Sequence, residues 1–572
     1  MEQAITNGGD KPLGMSERMR VALLVAVTAL VYANSLRNGF TLDDNLYILT
    51  NPMMTHFSLK ALFAPVSYNN IFRPVTFGSF ALNWMAEGEH PFGYHLVNLL
   101  LHVAVTVLLY LVLRKLLEKF ERGGMAAWVA ALLFAVHPLH TEAVASISGR
   151  SELLAMGFVL GAWLLHMNDW PVLAVVAFAL AMLSKESALA FAPLAIAGDY
   201  VRGQWKPLWR YGLIGGAAVA YLGLLWKAQG GRFGAPGVTF LDNPLVYLPV
   251  TMRIANALRI GWKYVWLQVY PVMLSCDYSY NQIILYANWH RNVLAILATA
   301  VVVGVWLWAL WSGRREWFLA GAIYLAGFAI TANILTPTGT IFGERLAYLP
   351  SAGFCLLVAL VWVRLEKRAN MLAWGVLALL VLGCGVRTMA RNRDWRDNVT
   401  LFTAGLKASP RSAKMHSNQA LQYYWKNDLD AASRELEIAL RIYPDMPDTI
   451  GYQGLIAARK GNDQEAQRLL EKALSMTLKS SPNWDFISVN LAAVKMKQGK
   501  NDEALKLLEE DLQLWPNSSR AWSNRAVILY ERGEMTEARA GAEKALRLDA
   551  TNMQAVKLLG LLNQARPVAL RP

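Results

Sequence analysis

The stretch NVLAILATAVVVGVWLWALW, residues 292–311, decides the fold. Its 20 residues carry no charge and no proline. A helix of that length is about 30 Å long, the thickness of a bilayer's hydrocarbon core. The theme recurs on either side, in VALLVAVTALVYANSLRNGF (21–40), ALAFAPLAIAGDYV (188–201) and MLAWGVLALLVLGCGV (371–386). Composition agrees. The 572 residues are 55% hydrophobic and 17% charged, where soluble domains carry about a quarter charged residues. Mean hydropathy is +0.28. The chain reads as an all-α, polytopic membrane protein.

The net charge of +14 is no sign of nucleic-acid binding, because the basic residues gather in short loops. These are RKLLEKFERGG (114–124), VRGQWKPLWR (201–210), SGRREW (312–317) and VRLEKRAN (363–370). Lys and Arg in short loops mark the cytoplasmic side. With those loops inside, eleven spans follow, near 19–36, 94–116, 125–140, 151–167, 170–184, 187–201, 210–226, 292–311, 317–333, 346–363 and 371–388. The first has no small-residue cleavage site and reads as retained rather than as a signal peptide. Segments 37–93, 227–291 and 334–345 then lie outside, as does everything after residue 388. A further apolar segment, 254–275, reads as a re-entrant or interfacial helix. Cys276, Cys355 and Cys384 are too scattered for a disulfide or metal pattern.

Past residue 390 the character changes. A membrane domain over 1–390 gives way, through a connector at 391–413, to charged helices rich in Ala and Leu over 414–572. Ala504 and Ala538 are 34 apart, as are Pro482 and Pro516, the tetratricopeptide period. Units start near 414, 449, 483 and 517, and NMQAVKLLGLLNQARP (552–567) caps the last, as an α-solenoid requires. Such arrays bind an extended peptide or a protein on their concave face.

The chemistry-bearing residues collect at the outer ends of the spans. Asp43 and Asp44 follow the first span. Arg73, His95, Arg150, Lys185, Glu186, Glu344 and Arg345 come from other edges that the topology sends to the same side. Ionisable residues at span ends are functional candidates. Carboxylates beside cations at a lipid–water boundary suit sugar transfer from a polyprenyl phosphate. A carboxylate takes the acceptor hydroxyl's proton, and Arg or Lys holds the departing phosphate. Asp43 or Asp44 as base, with Arg73, Lys185 or Arg345 on the phosphate, fits that plan. Simpler readings stand beside it. Asp-Asp is commonly a turn or cap, and Lys185-Glu186 and Glu344-Arg345 make plausible ion pairs. His95, Asn98 and His102 share one helix face and suit interhelical hydrogen bonding. Two adjacent aspartates also suit Mg²⁺ or Mn²⁺, although a monophosphate donor has little need of a metal, and no metal ligand is assigned.

NGFTLDDNLYILTNP (38–52), FRPVTFGSFALNW (72–84), LLFAVHPLHTEAVASISGRSELLA (132–155), LSKESALAF (183–191) and FGERLAYLPSAGFC (342–355) resemble the transmembrane and tetratricopeptide-repeat O-mannosyltransferases. The resemblance runs over nearly the whole chain, in family order. It implies a GT-C type glycosyltransferase fold, a polyprenyl-phosphate sugar as donor substrate, inversion at the sugar carbon, and a catalytic role for Asp43 and Asp44. It places Arg345 near the lipid phosphate. Mannose or another hexose would pass to Ser or Thr of exported proteins recruited by the repeats. The short loops resemble a bacterial member in the inner membrane, with active site and repeats on the periplasmic side. Two alternatives remain open: the same donor with a cell-envelope glycan or lipid acceptor, and a non-catalytic membrane scaffold.

Overall fold

The computed structural model describes residues 15–64, 71–231, 238–479 and 481–564. Parts of two expected outer loops (65–70 and 232–237) and the end of the expected cap (565–567) lie outside the described residues. The chain forms two compact units, Met1–Arg411 and Ser412–Pro572.

The first unit is a helix bundle built around Gly123–Val136, whose residues are buried almost without exception. Its sequence, GGMAAWVAALLFAV, is apolar on every face, as a helix enclosed by others must be. Around it pack Glu17–Tyr32, Pro91–Leu116, Tyr348–Arg368 and Asn370–Asp394. Small residues allow close approach. A Cβ at Gly353 would lie 2.4 Å from the Ala320 carbonyl oxygen and 2.6 Å from the Tyr324 nitrogen, so Arg315–Ala329 and Tyr348–Arg368 meet backbone to backbone. At the periphery the pattern inverts. Leu208–Ala228 buries only Ile214 and Tyr221, and Val293–Trp311 buries only Ala309. Apolar helices exposed on nearly all sides belong in lipid.

Each of the eleven expected spans falls on a helix or bent helix pair. Among the described residues, six helices are long and apolar enough to cross a membrane alone. A seventh crossing results if Gly123–Val136 and Pro138–Val144, bent by 54°, act as one. The expected re-entrant or interfacial segment is the amphipathic helix Val250–Val269, which buries Ala257, Ile260, Tyr264 and Leu267 and exposes Trp266 and Val269.

At one end of the bundle the basic loops are laced by ion pairs, Arg122 with Glu366 and Lys367 with Glu121 among them. The opposite ends of the same helices carry the acidic and basic residues singled out above. Among its described residues the second unit has four helix pairs, from Ala413–Trp425 with Leu429–Ile442 to Ser519–Glu531 with Met535–Leu548, followed by Met553–Gln564. Ala466, Ala504 and Ala538 are fully buried where paired helices touch.

Candidate active site

The loop bearing Asp43 and Asp44 is tied down from a distance. The Asn38 side-chain amide donates to the Asn392 carbonyl at 3.0 Å, the Gly39 N–H to the Arg396 carbonyl at 2.8 Å, and the Leu42 N–H to Asn398 Oδ1 at 2.9 Å. Trp395, buried against Leu42, Ala145 and Leu401, completes the anchor. The two aspartates then diverge. Asp44 is fully buried. One of its oxygens accepts from the Thr41 N–H at 2.9 Å and the other from the Ser148 N–H at 2.8 Å. Burial pushes its carboxyl up to about 6, against the pull of those two donors. Asp43 instead keeps 40% of its side chain exposed, 3.8 Å from Arg345 Nη1.

Arg345 gathers carboxylates from two elements. Its Nη1 is also 3.1 Å from Glu142 Oε1, and its backbone N–H donates to Glu142 Oε2 at 2.9 Å. The side chain nevertheless remains 30% exposed. Beneath it, Glu344 is fully buried and accepts from the Ser275 N–H and the Tyr278 hydroxyl, both at 2.6 Å. Its other oxygen lies 4.0 Å from Arg391 Nη2. Across the site, Arg73 binds Glu186 in a bidentate fork at 2.8 and 3.2 Å, and Lys185 pairs with Glu152. Burial alone would raise the Glu186 carboxyl, yet Arg73 and Lys185 hold it at about 2. These groups feel one another. Arg345 and Arg73 both lie within electrostatic reach of Lys185, and Tyr47 within reach of both arginines.

Asp43, Arg73, Lys185, Glu186 and Arg345 therefore converge. Arg150 and His95 do not join them. Arg150 is fully buried and spends its guanidinium on the protein: Asn98 Oδ1 at 2.8 Å, Asn83 Oδ1 at 2.6 Å, the Tyr94 carbonyl at 2.9 Å and the Ser79 carbonyl at 3.1 Å. It has little left for a ligand. His95 is buried beneath the first loop, beside Asn38 and Gly39. Glu344 supports Arg345 from below rather than facing outward. His102 and His140 cross-link helices, the first to the Tyr348 hydroxyl and the second to Ser351, each at 2.7 Å. Among the described residues no group of three or more His, Cys, Asp or Glu is placed to hold a metal ion.

Sequence reasoning counted Glu142 and Glu152 among the polar groups on the outer side without giving either a role, and gave none to Tyr47 or Arg391. Glu142 and Glu152 stand at expected span edges and so carried a signal; Tyr47 and Arg391 carried none.

A Caenorhabditis elegans protein O-mannosyl-transferase is 32% identical over 71% of this chain and 60% of its own length. Protein O-mannosyl-transferase TMTC3 of Mus musculus is 28% identical over 93% of this chain and 64% of its own. The chain is thus similar, over most of its length, to proteins named as protein O-mannosyl-transferases. A tetratricopeptide-repeat family model matches residues 489–552. The solved structure of MamA from Desulfovibrio magneticus is 23% identical, covering 27% of this chain and 84% of that one with a TM-score of 0.23. The chain spans about 60% of the length of the curated relatives it matches. The charged cluster at this end of the bundle is built almost entirely from the segments that carry the likeness.

Proposed function

We propose that this chain is an inverting glycosyltransferase that moves a hexose, mannose or a close relative, from a polyprenyl-phosphate donor to Ser or Thr hydroxyls of exported proteins. The observation that carries the reading is the juxtaposition of half-exposed Asp43 with half-exposed Arg345 at 3.8 Å. Asp43 acts as the base and Arg345 holds the phosphate. The acceptor oxygen attacks the anomeric carbon as its proton passes to the Asp43 carboxylate. The bond from that carbon to the phosphate oxygen breaks, and its electron pair leaves with the phosphate. A single displacement of this kind inverts the carbon. The leaving group is weakly basic and needs cations rather than a proton, which Arg345, Arg73 and Lys185 supply.

The names of the curated relatives support mannose and a protein acceptor. The eleven crossings expected from the sequence, with the basic loops in the cytoplasm, support repeats on the same exported side as the acidic loop, in a bacterial inner membrane. The solenoid then recruits the acceptor protein, and the bilayer delivers the donor.

The test uses the full-length protein in lipid nanodiscs, a panel of polyprenyl-phosphate hexoses and an exported acceptor protein, with glycopeptides read by mass spectrometry. Asp43→Asn is expected to lose about 10²- to 10⁴-fold in transfer with an unchanged melting temperature. Asp44→Asn is expected to lower the melting temperature as well, because one buried N–H donor loses its acceptor. Undiminished transfer by Asp43→Asn ends the base assignment. An altered envelope glycan with unmodified proteins moves the acceptor to another class.

A further inference from the structure

The Glu142 carboxylate touches Arg345 twice. Oε2 accepts from the Arg345 backbone N–H at 2.9 Å, and Oε1 lies 3.1 Å from its Nη1. One side chain thus holds both ends of another. Glu142 itself is 2% exposed. It sits in the short helix Thr141–Val144, packed against the turn Glu344–Ala347. That turn is immobilised one residue earlier, where Glu344 takes the Ser275 N–H and the Tyr278 hydroxyl at 2.6 Å. A long arginine side chain facing water carries rotamer entropy, which a phosphate ligand must otherwise overcome. With its backbone and its guanidinium tied to one buried carboxylate, Arg345 has few conformations left, and those keep Nη1 next to Asp43.

From this geometry we infer that Glu142 is a positioning residue, which fixes the guanidinium of Arg345 where base and donor phosphate must meet. The inference rests on the transferase reading above. Glu142 reaches the reaction only through Arg345, and it does not touch the acceptor. Neighbouring charges do not replace it. Glu152 is paired with Lys185 and Glu186 with Arg73, while Glu344 lies on the buried side, toward Arg391.

Two measurements on the full-length protein test this. In the first, Glu142→Gln keeps size and one acceptor oxygen but sets an amide NH₂ against the N–H donors. It is expected to lower kcat/KM for the donor about 10- to 100-fold and to leave the acceptor KM within twofold. Glu142→Gln combined with Arg345→Ala is expected to be no worse than Arg345→Ala alone, since the two act as a unit. A merely structural carboxylate would instead multiply the two losses and raise both KM values. The second measurement needs no turnover. Phenylglyoxal modification of Arg345, followed by peptide mass spectrometry, is expected to run at least fivefold faster in Glu142→Gln than in the parent protein. Glu142→Asp, too short to span both contacts, serves if the glutamine variant folds poorly and is expected to show the same gain. Equal modification rates, or an unchanged donor kcat/KM in an active enzyme, overturn the inference. A parent protein inactive with every donor removes the transferase reading instead, and the modification rates still report on whether Glu142 restrains Arg345.

Discussion

Arg73 and Arg150 are both arginines at the same end of the bundle as Asp43, and what separates them is their partners. Arg73 faces a carboxylate, Glu186, at the site, where an arriving phosphate can compete. Arg150 faces only neutral acceptors, four of them within 3.1 Å, in full burial. Its side chain also lies against the Phe80 ring at 4.8 Å. It is a fastener that joins the helices Pro74–Glu87, Pro91–Leu116 and Arg150–Met167. Arg150→Met is therefore expected to destabilise the bundle, on the order of 1–3 kcal/mol for each acceptor left buried and unpaired. The donor KM of whatever protein still folds should be unaltered. Thermal unfolding in detergent and donor kinetics check the two halves of that statement. A normal melting temperature with a raised donor KM would return Arg150 to the binding site. Nothing in the letters SGRSELLA separates these roles, since burial is decided by what folds over the residue.

At the scale of elements, two contacts invite direct tests. Gly353 lets Tyr348–Arg368 lie against Arg315–Ala329 so closely that a methyl group would strike backbone atoms at 2.4 and 2.6 Å. Gly353→Ala is expected to lower the melting temperature by several degrees. Gly375→Ala, at a helix position with nothing within 4 Å, should be neutral or mildly stabilising because alanine favours helix. Equal behaviour of the two variants would argue against close helix contact. In the repeats, the helices Pro482–Lys497 and Asn501–Leu514 bring two carboxyl groups together. Asp511 is fully buried. Burial raises its carboxyl to about 7, the Ser488 hydroxyl donating at 2.6 Å works against that rise, and Asp485 adds to it. The folded state thus holds a proton that the unfolded chain gives up near pH 4. Stability is greatest below that value and falls as pH rises towards 7. Asp511→Asn should flatten this slope and raise the melting temperature of the repeats at pH 8. Scanning calorimetry of the full-length protein at pH 5 and pH 8 is the check, and an unchanged slope refutes the raised Asp511 carboxyl.

For the molecule as a whole, the proposed reaction requires the acidic loop and the repeats to share a compartment. Cysteines introduced at exposed Lys60 and Arg547, with Cys276, Cys355 and Cys384 replaced, are expected to react with a membrane-impermeant maleimide from the same side. Labelling from opposite sides would defeat acceptor recruitment by the solenoid. Two features were open to reading in the chain itself. Hydropathy runs of helical span length located the helices of the bundle, because the need to satisfy backbone hydrogen bonds in lipid leaves apolar segments no other form. The alanine and proline spacing located four helix pairs and a cap. The number of complete crossings was less legible. Pro171–Ser184 and Phe191–Arg202 are 14 and 12 residues long, and six helices meet the length and hydropathy of a full span alone.

What the sequence by itself determined is the class of molecule: a membrane helix bundle with a repeat solenoid and a concentration of charge at the outer span ends. Those properties follow from local composition and period. Only the tertiary structure decided which of two adjacent aspartates faces the site, since the Ser148 N–H that engages Asp44 lies 104 residues away. It also decided that Arg345 is gripped by Glu142, 203 residues distant. Burial and pairing belong to neighbours in space, and identical side chains acquire opposite duties from what the fold sets against them.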